Sequence, residues 1–209
     1  MELSVTDYAS KAIERLKHEA LKSQESASPA INTAIFSRSF EEFEDLFGIN
    51  IRRTLKRIER KQDSQIIALD IMCGGGKAVE ELNKNYNIAA FGVDVVYYPE
   101  FRSSSFRDRY IITPAEDLSM IPNESIDLIL NCIGFFDYAE SWESAFTEAL
   151  RVLKRGGGLY TVPDYKDYHR FLEFYKTKED ESVEYSSKAR LSWHRFPPVR
   201  MSPVLYVII

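Results

Sequence analysis

Two cysteines in 209 residues leave no material for a disulfide framework. Cys73 and Cys132 also lack the close pairing of a zinc or redox motif, so no metal is expected. A run of about 18 apolar residues is missing as well, which excludes a membrane-spanning helix from the expected fold. Met1 to Asp7 carry neither the basic nor the apolar region of a secretory leader. The expectation is a cytoplasmic protein with reduced thiols. Basic excess is lacking too: 27 Lys and Arg face 32 Asp and Glu, a net charge of −5. Such a balance suits a phosphate backbone poorly, so nucleic acid is not an expected partner. The one basic cluster, Arg52-Arg53, Lys56-Arg57 and Arg60-Lys61, has helical spacing and reads as a solvated face.

What is present is ordinary globular material, 44% apolar and 13% aromatic. A chain of this size forms one hydrophobic core and buries roughly 70% of its unfolded surface. Its organising stretch is Ile66-Ile67-Ala68-Leu69-Asp70-Ile71-Met72-Cys73-Gly74-Gly75-Gly76. Five apolar positions around Asp70 have the length and β-branching of a strand buried on both faces. Three glycines end it, and Lys77 to Leu82 continues with helix formers. The reading is strand, tight turn, helix. In open α/β sheets a ligand lies at the carboxyl ends of the strands, where this turn sits.

Before that stretch, Ala9, Ala12, Ile13, Leu16 and Ala20 make an apolar stripe on a helix over residues 6–22. Ser39 and Glu42 have capping-box spacing for a second helix reaching Leu46. Ile51, Leu55 and Ile58 mark a third. After it, strands are expected at 88–94, 109–113, 125–132 and 159–162, with a helix over 141–154 ended by Gly156-Gly157-Gly158. A helix over 165–176 and strands near 183–191 and 204–209 complete the chain. Alternation of strand and helix predicts a doubly wound α/β fold.

Asp94 ends the second strand, 20 residues beyond Gly74. An acid there can accept both hydroxyls of a ribose, each bond contributing roughly 1.5–3 kcal/mol. A dinucleotide fingerprint would need a small residue where Val79 stands, which disfavours a nicotinamide cofactor. Asp70 suits a ligand that bears an ammonium group.

Asp70 to Gly76 resembles the first motif of the class I S-adenosylmethionine-dependent methyltransferases, with Met72 in place of the first glycine. Ala115-Glu116-Asp117-Leu118, Ile121 to Leu130, and Glu148 to Leu159 resemble the later segments of that family, in order. The resemblance covers residues 64–164. It implies a Rossmann-like, seven-stranded, mainly parallel sheet with an antiparallel last strand over residues 61–209. It also implies a helical N-terminal extension, residues 1–60, that caps the cofactor cleft. S-adenosyl-L-methionine is the implied cofactor. Cys73, Gly74 and Gly76 would face its methionine part, with Asp70 and Met72 in the same turn. Asp94 would hold the ribose, and Val95 and the Ala115 N–H the adenine. Glu116 would stand in for the family's adenine-binding aspartate, whose position holds Pro114. Asn131 and Cys132 would lie beside the sulfonium.

Methyl transfer to a sulfonium-activated carbon needs alignment more than a fixed base. The catalytic residue is therefore left unassigned, with His169 and Asp137 as the candidate bases. The acceptor is read as a small molecule, and the oligomeric state stays open. The rival reading is a non-catalytic methyltransferase-like domain with a weakened cofactor site.

Overall fold

The structure is a computed structural model, described here for residues 5–27, 37–47, 50–59, 64–131, 139–161, 184–185 and 205–208. Its centre is β1 (Ile66–Ile71), every residue of which is buried. Both faces of the strand meet apolar neighbours. Ile67, Leu69 and Ile71 point to one core, and Ile66 and Ala68 to the other. The period of two in a continuous apolar run thus builds two cores at once.

β2 (Ile88–Asp94) runs parallel to β1 with Ile66 opposite Ile88 and Ile71 opposite Val93. β3 (Tyr110–Ile112) flanks β2, and β4 (Ile126–Asn131) flanks β1 on its other side. β5 (Leu153–Thr161) follows β4, giving five parallel strands in the order β3-β2-β1-β4-β5. Beyond β5 the sheet continues with β7 (Leu205–Ile208) and β6 (Glu184–Tyr185), joined antiparallel.

The fifth strand differs from expectation. It starts at Leu153, directly after the helix, and runs through the glycine triplet rather than from Leu159. Its pairing with β4 jumps from Ile126–Leu153 to Leu128–Gly158, so the triplet forms a bulge. Gly156 has φ 80°, and a Cβ on Gly157 would stand 2.9 Å from the Asp127 and Lys154 carbonyl oxygens. The glycines are a bulge inside the strand and not a helix stop.

α4 (Lys77–Asn85) and α5 (Pro99–Ser103) pack on one sheet face together with α2 (Phe40–Phe47) and α3 (Ile51–Glu59). The capping box of α2 forms as expected, with Glu42 N–H donating to Ser39 Oγ and Ser39 N–H to Glu42 Oε2. α6 (Trp142–Val152) packs on the other face through Ala145, Phe146 and Ala149.

The connection from β3 to β4, residues 113–125, contains no helix. The face of β2 and β3 on the α6 side would therefore be bare. α1 (Val5–Glu25) fills it, with Ala12, Ile13, Leu16 and Ala20 in the same core as Phe91, Val93 and Ile111. Its last turns also close the outer edge of β3. Ile112 N–H donates to Ser23 Oγ, and Gln24 Nε2 donates to the Tyr110 carbonyl. Residues 1–60 were expected as a cap over the cleft. Where described, α1, α2 and α3 contribute side chains to the two cores. Among the described residues, the end of α1 reaches the carboxyl edge, where Tyr97 donates its hydroxyl hydrogen to Gln24 Oε1, and so does Ser37, whose Oγ accepts the Lys77 N–H.

Leu16 is fully buried in this packing. Leu16→Ala should cost roughly 2–5 kcal/mol and lower the melting temperature by roughly 5–15 °C. An unchanged melting temperature in a thermal scan would mean that α1 is a detachable cap.

Candidate functional site

The site lies at the carboxyl ends of β1 and β2. Leaving β1, the chain turns at Met72, whose φ of 60° is left-handed and rare for a residue with a long side chain. Cys73 N–H then donates to the Val93 carbonyl, carrying the β1–β2 ladder past the end of the strand. Cys73 Sγ sits over Gly92, where a Cβ would stand 2.6 Å away. Gly92 is thus required by a side chain from the next strand. Gly74 N–H donates to Asp94 Oδ2 at 2.9 Å, and Val96 N–H to Asp94 Oδ1 at 2.9 Å. One carboxylate therefore ties the glycine turn to the end of β2.

Gly76 starts α4 at φ 75°. A Cβ there would stand 2.3 Å from the Tyr110 ring, and the Tyr110 hydroxyl donates to the Gly76 carbonyl. Tyr110 in turn stacks on Phe101 at 3.9 Å. The last glycine of the motif thus makes room for an aromatic from β3. Lys77 N–H, a free donor at the start of α4, donates to Ser37 Oγ. That donor is not left for a phosphate.

Asp70 is the unusual group. It is 4% exposed, and no donor among the described residues reaches its carboxylate. Desolvation, with the Asp94 charge adding to it, holds its carboxyl well above the usual range. Asp94 is also raised by burial, against the backbone N–H bonds that lower it. Burial pushes the Cys73 thiol up, so this cysteine is a packing group rather than a nucleophile. Two carboxylates on one face of the sheet, with no cation beside Asp70 among the described residues, favour a positively charged ligand.

The other expected site residues are dispersed around this centre. Val95 is 61% exposed, one of the two large exposed apolar side chains among the described residues. It leaves an apolar surface beside Asp94. Ala115 is buried in the 113–125 connection, and Pro114 is exposed. Glu116 Oε1 accepts the Ser141 N–H at the start of α6, which makes it a structural link as well. Asn131 is fully buried. Its Nδ2 donates to the Ile71 carbonyl and its Oδ1 accepts the Thr161 hydroxyl hydrogen, so it clamps β1, β4 and β5 together at their ends. Cys132, Asp137 and His169 lie outside the described residues. Ser37 and Tyr110, which brace the turn, were missed: each reaches it across more than 30 residues, and no local pattern signals either.

The methyltransferase-domain family profile matches residues 69–161, from the middle of β1 to the end of β5. No curated protein matches the chain. Among solved structures, one assigned as an S-adenosyl-L-methionine-dependent methyltransferase from Methanococcus maripaludis is 15% identical. It aligns over 86% of this chain and 97% of its own, with a TM-score of 0.45. The protein assigned as a methyltransferase in a Haloferax volcanii complex with the Trm112 activator is 23% identical. That alignment covers 63% of this chain and has a TM-score of 0.42; the chain spans 62% of its length. YcgJ from Bacillus subtilis is 21% identical over 63% of this chain and 60% of its own, with a TM-score of 0.41. At such values none of them carries a substrate over. No helix among the described residues is long and apolar enough to cross a membrane.

Because the folded pKa of Asp70 is raised, the folded state holds a proton that the unfolded state has released. Stability then falls as pH rises from about 4 to the raised value. Asp70→Asn should therefore melt higher than the parent chain at pH 7, with the gain shrinking toward pH 4. A variant that melts lower at pH 7 would show that the carboxylate form is partnered.

Residues 69–161, which hold the glycine turn, Asp70 and Asp94, are therefore similar to the methyltransferase-domain family.

Proposed function

We propose that this chain is an active S-adenosylmethionine-dependent methyltransferase that acts on a small-molecule acceptor in the cytoplasm. The observation that carries the reading is the pair of buried carboxylates beside the glycine turn, one of them without a donor among the described residues. When bound, S-adenosylmethionine supplies a methyl group on a positively charged sulfur, ready for in-line displacement. Each residue then has one task. Asp70 receives the ammonium group. Asp94, after accepting Gly74 and Val96, keeps lone pairs for two ribose hydroxyls. Val95 covers the adenine face, and the Ala115 N–H and Glu116 meet its edge. Cys73, Gly74 and Gly76 form the wall of the methionine part, with Met72 behind them. Asn131 and Cys132 border the reacting end.

Once the ligand's ammonium group displaces the Asp70 proton, the two carboxylates form a negative centre that favours a cationic donor over its uncharged sulfur product, which assists product release. It disfavours a pyrophosphate, as does the Ser37 hydroxyl on Lys77 N–H. Alignment of acceptor and methyl supplies much of the rate, and a base such as His169 or Asp137 adds to it. The reading includes the family's seven-stranded sheet with an antiparallel last strand, which the pairing of β5 with β7 supports.

A second reading has specific support. Met72 holds a left-handed backbone that glycine would adopt without strain, at a cost of about 1–2 kcal/mol. Glu116 Oε1 is already bonded to Ser141 N–H. A non-catalytic domain with a weakened cofactor site would carry such features.

Isothermal titration with S-adenosylmethionine, S-adenosylhomocysteine and NAD separates these readings. Both sulfur ligands should bind and NAD should not. Asp94→Ala should weaken S-adenosylhomocysteine about tenfold or more through loss of two ribose bonds. Unchanged affinity in that variant would remove Asp94 from the site, and no binding by the parent chain would favour the non-catalytic reading.

A further inference from the structure

The 113–125 connection has no helix to hold its shape, yet it carries Ala115 and Glu116 at the carboxyl edge of β3. Its anchor is on another element. Arg151, in the last turn of α6, grips Glu148 with both arms: Nε donates to Oε1 and Nη2 to Oε2, each at 2.7 Å. The same guanidinium donates to the Leu118 carbonyl at 2.8 Å, the Ile121 carbonyl at 3.0 Å and Asn123 Oδ1 at 2.6 Å. Glu148 Oε2 accepts the Leu118 N–H at 3.0 Å. Both backbone polar groups of Leu118 are thus held by one ion pair.

The other end is fixed as firmly. Thr113 N–H donates to the Asp94 carbonyl at 3.1 Å, and Thr113 Oγ1 donates to the Asp117 carbonyl at 2.9 Å. Ala115 therefore lies between two anchors, one at the end of β2 and one on α6. A surface pair contributes little on its own. This one differs because three of its acceptors lie 28 to 33 residues away in an otherwise irregular segment.

We propose that Arg151 is a positioning residue for adenine recognition: its fork on Glu148 and the 118–123 backbone sets where the Ala115 N–H and Glu116 meet the ring edge. This rests on the methyltransferase reading above. Recognition by a backbone N–H is not tuned by changing that residue's side chain. Control passes to whatever holds the backbone. A lysine cannot replace the fork, because one ammonium cannot span two carboxylate oxygens and two carbonyls in a fixed plane.

The test is titration of the full chain with S-adenosylhomocysteine and S-inosylhomocysteine, which differ only at the ring edge, at a temperature where every variant is folded. The parent chain should prefer the adenosyl ligand. Arg151→Lys should lose about tenfold for the adenosyl ligand, the scale of one charged hydrogen bond, and little for the inosyl one. Lys154→Met serves as the control. It breaks the Lys154–Asp127 pair at the amino end of the sheet and should lower stability without moving the ratio. An unchanged ratio in Arg151→Lys, or an equal shift in Lys154→Met, overturns the assignment and leaves the methyltransferase reading standing. A parent chain that binds neither ligand overturns both.

Discussion

The carboxylate of Asp94 binds the amide of Gly74, and through that bond the turn after β1 belongs to β2 as much as to its own strand. The other features of the site follow from this join. Cys73 can extend the ladder to Val93 only because Gly74 is held one step further on. Gly92 must lack a side chain because Cys73 then lies over it. Asp70, earlier on β1, faces the same side of the sheet as Asp94, whose charge adds to the burial that raises Asp70, while burial alone raises Asp94. A single hydrogen bond of this kind contributes on the order of 1.5–3 kcal/mol. Its larger consequence is geometric, since it brings two acids and a bare backbone to one point.

Much of this was legible in the residues. The apolar run of β1, the glycines after it and the acid at the end of β2 are local patterns, and each appears where expected. The capping box at Ser39 and Glu42 is local in the same way. What escaped is what depends on distant partners. The stripe on α1 shows that the helix is buried without saying against what, and the missing helix between β3 and β4 was not read as a gap to be filled. Gly156 to Gly158 carry the same letters as a helix stop, and only the pairing with β4 reveals a bulge. Gly76 was read as room for a ligand, whereas the structure adds a Tyr110 ring beneath it. The resemblance placed Asn131 beside the sulfonium, and no local pattern shows that its amide is also bonded to β1 and β5.

The site therefore has two kinds of parts. On the proposed function, Asp70, Asp94 and the exposed Val95 present chemistry to a ligand. Ser37, Tyr110, Asn131 and the Arg151–Glu148 pair hold those parts in place, from helices and strands on both faces of the sheet. The holding groups are nearly all buried or half-buried and bonded to backbone atoms.

The use of α1 to cover β2 and β3 has a consequence for biosynthesis. Ser23 must wait for Ile112, a partner 89 residues later in the chain. At a translation rate of roughly 5–20 residues per second, the delay is on the order of 5–20 s. During that interval an amphipathic helix stands on the nascent chain with its apolar face unburied, so an element made before the sheet must wait for its far strand. A fold that kept its covering helix between β3 and β4 would have no such wait.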